Sequence, residues 1–519
     1  MNIFDAIKEK IMKFLKLDKL DYNPNSERLT FICDEDNLKK QKLKEQRVWY
    51  IGDSNELLNF YTNQAIYGNM EEPIYNRNRK NYFWGINPTE TNIKRVHSGI
   101  PNAIITTLVN AIGVPKTYVN DEVVNTRLKK IIKNNDMTNM LNQQQLPLTL
   151  VDGWGAYKVC FDLSVSKEVI IQYYEAENVE FVYKSNRLIG IIYKDYYTYN
   201  KQDYVLIEVR RVANMTSYVE YELYKLGKNN DVSPVPLETI PELADLQNIE
   251  IPNFNHILGV ACKFFYDPLN KNYGRSIFDG KIDLFDDLDQ ILSQDSQTVR
   301  VSTPVEYYPS DLLERDRNGN PKMPSVYNRQ YVQLSLLPNG DGDVSGEIKT
   351  TQPELNFEQY STNARSKLDF ILTGLLSPAT MGIDLSKRDN AEAQREKEKI
   401  TLMTRNNIID RESKILQDLY SIALSLQEYI DTGSITLEDY DITVNFEEFA
   451  NPSFENELIT LGGAWSNGQI STRKYVELLW RDKLNEEEML LEERWLDSHR
   501  DADNLSLGEI EQYDRQYFE

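Results

Sequence analysis

Apolar and polar positions alternate in three regimes along the chain. Up to Asp152 the apolar residues recur mostly at helical spacing. Ile3, Phe4, Ile7, Ile11, Phe14 and Leu15 predict a helix over Met1–Leu17, whose charges Lys8, Glu9, Lys10, Lys13 and Lys16 interrupt any signal-type core. That pattern suits a packing helix at the periphery better than a membrane-surface helix. Asn55–Tyr67 reads as a helix with Ser54 as its N-cap. Ile104–Ile112 is a short apolar stretch stopped by Gly113 and Pro115, and Asn120–Gln145 reads as a polar helix or two. After Asp152 the period changes to two. Ala156–Phe161, Val169–Tyr174, Val179–Tyr183, Leu188–Tyr197, Tyr204–Val212 and Tyr218–Lys225 are rich in Val, Ile, Tyr and Phe and are separated by Gly, Asn, Asp and Lys turns. They predict a β-meander over 152–226, followed by an acidic, Pro-containing connector, Asp231–Pro252.

From Tyr273 the helical period returns. Ile277, Leu284, Leu288, Ile291, Leu292 and Val299 share one face as far as Thr303, before Pro304. Pro304–Gln352 is dense in Pro, Gly and Asn, which suits a small β-rich insertion. Leu355, Tyr360, Ala364, Leu368, Ile371 and Leu375 mark a second helix, ended by Ser377-Pro378 because Pro removes a donor and restricts its predecessor. The polar loop Ala379–Asn390 carries Lys387, Arg388 and Asp389. A long helix follows from Ala391 to about Ile430, then a strand pair, Ser434–Leu437 with Asp441–Phe446, and a helical tail from Phe454. The fold class is α+β.

Composition narrows the function. The 519 residues hold 58 Lys+Arg against 81 Asp+Glu, a formal charge of −23, with 40% hydrophobic and 11% aromatic residues. Such a chain buries large cores and divides into several domains. A surface this acidic repels phosphate, which excludes a protein that wraps nucleic acid in a basic surface. Cys33, Cys160 and Cys262 form no CxxC pair, which suits a reducing compartment. His97, His256 and His499 are equally scattered, so no zinc site is expected. No apolar run approaches the ~18 residues that span a bilayer.

Three apparent motifs fail. Gly274–Ile282 has five residues between its glycines and Ile282 where a phosphate loop needs a hydroxyl. Asp341–Gln352 starts like a calcium loop but ends in Gln352. Asp279, Asp283, Asp286, Asp287 and Asp295 lie opposite the apolar stripe of their helix; with Asp289 they form an acid-rich run that reads as a solvated or interface face rather than a metal site. Tyr75–Ile100 is locally basic and aromatic, either a contact surface for a strand or neighbouring subunit, or a loop with Tyr82–Trp84 tucked into a core. No nucleophile–base setting is visible, so no enzyme, cofactor or metal is expected.

The order of parts, a meander, a long helix, a small β insertion, a returning helix, a Pro-broken loop, another long helix and an acidic tail, resembles the portal proteins of tailed bacteriophages, most like the type in phages of Gram-positive hosts. Asp152–Val159, Tyr273-Gly274-Arg275-Ser276, Leu375-Leu376-Ser377-Pro378, Asn467–Thr472, Asn485–Glu488 and Glu492-Glu493 carry the likeness, which spans Ile51 to about Leu496. One departure is Arg388-Asp389-Asn390-Ala391-Glu392, where such proteins often start the helix with a Ser-Gly-Ala type sequence.

The resemblance implies a homo-oligomeric ring, usually of twelve subunits, at one capsid vertex of the virion, through which double-stranded DNA is packaged and ejected. By the same resemblance, residues 1–272 look like wing, 273–303 and 355–376 like the two stem helices, 304–354 like the clip, 377–390 like the tunnel loop, 391–452 like more wing and 453–519 like the crown. It implies Lys387 and Arg388 as DNA-contacting cations, Ser377, Pro378 and Gly382 as loop-shaping residues, and Asp279, Asp283, Asp286 and Asp287 as channel-lining or interface acids. The implied partners are the large terminase subunit, a head–tail connector or adaptor, the major capsid protein and scaffold; no membrane is involved. A non-viral acidic helical scaffold is the competing reading, and a Mg-dependent phosphoryl-transfer enzyme the third.

Overall fold

Asn residues at two-residue intervals between β-runs announce hairpins, and the chain uses them so. In the computed structural model, which describes residues 27–62, 82–86, 93–162, 165–226, 232–268, 270–302, 305–309, 318, 330–334, 349–351, 357–383, 391–435, 440–446, 454–480 and 486–502, strands β4 (Val179–Lys184), β5 (Arg187–Tyr199), β6 (Gln202–Ala213) and β7 (Thr216–Leu226) pair antiparallel in sequence order. Their turns, Ser185-Asn186, Asn200-Lys201 and Asn214-Met215, all have φ between +50° and +62°. Two left-handed residues in a row match the twist of the flanking strands. On β6 the period of two serves both faces of the sheet: Val205, Ile207 and Val209 pack with Ile192 and Tyr224, while Tyr204 and Leu206 pack with Leu223, Ile240 and Leu243.

The meander is smaller than the sequence predicts. Strands β2 (Trp154–Cys160) and β3 (Ile170–Glu175) leave it and form a separate sheet with β10 (Gly259–Lys263), in the order β10-β2-β3. β10 approaches closely there: a Cβ on Gly259 would lie 2.1 Å from the Tyr193 hydroxyl and 2.8 Å from the Tyr157 carbonyl oxygen. The predicted connector supplies β8 (Val232–Val235) and β9 (Ile249–Pro252), both paired with β7. The two sheets are joined by buried charges. Glu208 on β6 takes Lys158 of β2 at 2.5 Å and Arg210 at 2.6 Å, and Arg210 also donates to the Leu258 carbonyl at 2.6 Å. Each buried charge is thus paired, the condition for tolerating it.

Helices α1 (Glu27–Ile51), α2 (Ser54–Thr62), α3 (Ile100–Ile112), α4 (Glu122–Asn134) and α5 (Leu146–Asp152) precede β2. The cap of α2 is Asp53, not Ser54: its carboxylate accepts from the amides of Asn55 at 2.6 Å and Glu56 at 3.3 Å. Between α4 and α5 the chain makes a π-helical turn, Met140–Gln145. The first long helix after β10, α6, spans Ile282–Val301 and so starts later than its periodicity from Tyr273 suggests. Backbone contacts hold the intervening residues in turns: Arg275 N–H to Phe265 O at 3.0 Å and Ile277 N–H to Leu150 O at 3.1 Å. Strands β11 (Val305–Pro309), β12 (Gln330–Leu334) and β13 (Lys349–Thr351) form a three-stranded sheet in the order β12-β11-β13, with β11 and β12 parallel. Helix α7 spans Phe357–Leu372 and α8 Ala391–Thr432. The expected stripe Ile408, Ile415, Leu419, Ile422 and Leu426 of α8 is buried. Strand β14 (Ile442–Phe446) pairs with β1 (Pro115–Val119), far away in sequence; of its expected partner 434–437, residues 436 and 437 lie outside the described residues.

The chain divides into two compact units, Met1–Arg388 with Arg395–Glu447, and Asp389–Gln394 with Glu448–Glu519. The second contains helices α9 (Phe454–Ser466), α10 (Thr472–Trp480) and α11 (Glu486–Ala502). Tyr475, Val476 and Leu479 form its core, with Trp465 stacked on Tyr475 at 5.3 Å. Mixed helix with mainly antiparallel sheet makes the protein α+β. Among the described residues no helix is long and apolar enough to cross a membrane. The predicted helix Met1–Leu17 lies outside the described residues.

Candidate functional site: a helix pair and the segment laced to it

Helices α6 and α7 run antiparallel. Thr298 meets Tyr360 at 3.3 Å, Asp287 meets Lys367 at 2.6 Å, and Lys281 reaches the carbonyls of Phe370 at 2.9 Å and Thr373 at 3.0 Å. Lys281 thus satisfies carbonyls that the end of α7 leaves open, where a cation also suits the helix dipole. Leu288, Ile291 and Leu292 of α6 face Ala364 and Leu368 of α7 across a shallow groove of about 350 Å³. Val299 and Phe357, near the end of the pair that leads to the three-stranded sheet, are exposed, as is Phe370.

The acids of α6 have definite partners. Asp283, Asp286, Asp289 and Ser293 stand at helical spacing and together hold residues 82–84 and 96–98. Asp283 accepts from the Tyr82 hydroxyl. Asp286 accepts from the amides of Phe83 at 2.8 Å and Trp84 at 3.2 Å. Asp289, fully buried, contacts Trp84 Nε1 at 3.0 Å, His97 Nδ1 at 2.7 Å and the Ser98 amide at 2.8 Å. Ser293 accepts from the Val96 amide at 2.9 Å. Asp279 instead takes Lys42 at 2.7 Å and Gln46 at 2.8 Å from α1. The acids expected on a solvated or interface face are thus divided: Asp286 and Asp289 are buried and Asp279 is half-buried against α1, while Asp283, exposed, accepts from Tyr82 and Asp287 pairs with Lys367 at the surface. Burial pushes Asp286 up to about 7 against the lowering pull of its two amides. Tyr82, Phe83 and Trp84 are core residues.

After α7, Gly374 (φ +76°) breaks the helix. Ser377 is buried, and its amide donates to Thr401 Oγ1 of α8 at 2.9 Å; Thr380 meets the same hydroxyl at 2.9 Å. The Pro378 carbonyl accepts from Ile383 N–H at 3.1 Å, and Gly382, at φ +71°, donates to Ala379 O at 3.0 Å. Ser377, Pro378 and Gly382 thus belong to one folded turn pinned to α8 by a buried threonine, which the sequence did not single out. Lys387 and Arg388 lie outside the described residues. The signal for the Asp283–Asp286–Asp289 ladder was present as spacing, but acids opposite an apolar stripe read first as solvated.

Among the described residues no group of His, Cys, Asp and Glu could hold a metal ion. Cys160 and Cys262 are free, and burial raises both thiols.

No family model and no curated protein matches the chain. Solved structures do. A chain of the structure titled "Neck of native GTA particle computed with C12 symmetry" aligns at TM-score 0.39 and 13% identity, over 81% of this chain and 98% of its own. A chain of "Neck of empty GTA particle computed with C6 symmetry" aligns at TM-score 0.38 and 12% identity, over 80% and 97%. Likeness at this level is too distant to fix a fold.

Proposed function

We propose that this protein is a portal subunit: a structural protein of a phage-like particle, not an enzyme, that assembles with copies of itself into a ring around a channel for double-stranded DNA. The observation that carries the reading is the antiparallel pair α6 and α7 bracketing a small three-stranded sheet, followed by a pinned turn and the long helix α8. A wall of paired helices with a small domain at one end and a loop at the other is the shape a conduit subunit needs. On this reading the sheet at 305–351 docks the terminase and later the connector, capsid protein surrounds the ring, and exposed Val299, Phe357 and Phe370 meet the next copy.

The charge is consistent with passage. DNA must move past the wall without gripping it, and an acid excess repels the duplex towards the axis. Lys387 and Arg388 are the proposed exceptions, cations that touch phosphates in passing. Negative-stain images of the purified chain test the reading. Rings with a central hole and about twelve-fold symmetry are expected; monomers or dimers at every concentration would overturn it.

A further inference from the structure

We infer that the cleft between the β4–β5 hairpin, β10 and α8 is a binding site for a phosphate-bearing small molecule of about nucleotide size. The cleft has a volume of about 600 Å³, within the range of small-molecule sites. Arg187, Lys263 and His256 line it, with Asp418 as the one carboxylate among its lining residues. In a chain with a formal charge of −23, cations normally find carboxylates. Arg187 and Lys263 do not. Lys263 Nζ donates only to neutral oxygens, the Tyr183 hydroxyl at 2.5 Å and the Asn272 carbonyl at 3.3 Å, and lies over the Tyr183 ring at 4.8 Å. It also lies 5.7 Å from the Phe181 ring centroid, so its contacts are neutral throughout, and Arg187 is exposed with no carboxylate partner among the described residues.

Two uncompensated cations at one concave surface create a local positive potential that an anion neutralises at little desolvation cost. Burial already disfavours the charge on Lys263, so a bound anion would restore it. The exposed guanidinium of Arg187, next to the left-handed turn Ser185-Asn186, presents a fork that fits two phosphate oxygens. Leu188, Ile257 and Ile422 also line the cleft and offer apolar surface for a flat ring. Two cations for an anion beside apolar surface for a ring, in a volume larger than one phosphate fills, describe a nucleoside monophosphate better than a bare phosphate.

Calorimetric titration of the full-length protein at low salt tests this, with AMP, inorganic phosphate and adenosine as probes. AMP is expected to bind saturably, phosphate more weakly and adenosine not measurably. Arg187→Gln and Lys263→Met should each weaken AMP at least about tenfold, the worth of one charge-assisted contact, while Lys129→Gln, an exposed cation elsewhere, should leave it unchanged. Arg187 is exposed, so its variant remains informative if Lys263→Met melts early. Equal affinity for AMP and phosphate would overturn the nucleotide assignment. No saturable binding, or binding indifferent to both variants, would overturn the site.

Discussion

Glu412 of α8 is completely buried beside the π-helical turn, where Gln145 Nε2 donates to its Oε2 at 2.9 Å. Its Oε1, the Gln145 Oε1 and the Tyr157 hydroxyl have no hydrogen-bond partner there. Burial pushes the carboxyl up to about 8, from an ordinary value of 4.5. A carboxyl raised on folding binds its proton more tightly in the native state than in the unfolded chain. Its contribution to stability is therefore complete below about pH 4.5, declines as pH rises and is lost above about 8. Glu412→Gln keeps the acceptor and removes the titration. In urea denaturation at several pH values, the wild type should lose stability relative to this variant between pH 5 and 8, by up to about 4 kcal/mol. A pH-independent difference between the two would refute this account. Asp289 is a buried acceptor with three donors turned on it. Asp289→Ala leaves Trp84 Nε1 and the Ser98 amide unmatched and should cost about 3 kcal/mol or more. Faster hydrogen exchange at the Ser98 amide, with the β4–β7 amides unchanged, is the expected signature.

At the scale of elements, the junction between α5 and the start of the α6 region depends on two glycines. Gly153 has φ +93°, and a Cβ on Gly274 would sit 2.0 Å from the Gly153 carbonyl oxygen. Backbone touches backbone there, so no rotamer change can relieve a clash. Gly274→Ala should destabilise the first unit by about 2 kcal/mol or more and lower its melting temperature; an unchanged melting temperature would show that the two backbones can part without loss. The same contact explains why Gly274–Gly280 looked like a phosphate loop: Gly274 serves close approach and Gly280 a left-handed turn at φ +80°. What was legible in the chain was local. The stripe of α8 follows from the helical period, and the β4–β7 hairpins from Asn at their turns. What was illegible was pairing at a distance. The choice of β10 as partner for β2, and of β1 as partner for β14, joins residues about a hundred or more positions apart, and no local pattern encodes it. The acid ladder of α6 was misread for a related reason: Asp283, Asp286 and Asp289 are legible as a face, but the segment that covers the face lies some two hundred residues earlier, as the Phe83–Asp286 separation of 203 shows.

At the scale of the whole molecule the formal charge of −23 sets how copies approach one another. From Asn485 to Glu519 twelve acids face three bases, so a large share of the excess sits at one end of the chain. In the proposed ring, each added subunit brings its full charge beside that of its neighbours. This repulsion acts over roughly 30 Å at 0.01 M salt and roughly 10 Å at 0.1 M. Apolar contact through residues such as Val299 and Phe357 is short-ranged and is not weakened by salt. The two terms therefore separate with ionic strength. Sedimentation velocity at fixed protein concentration should show little assembly at 0.01 M NaCl and a ring-sized species growing in as salt is raised to 0.1 M and beyond. Rings that fall apart as salt increases would mean that ion pairs between subunits, not apolar contact against a repulsive background, hold the assembly together.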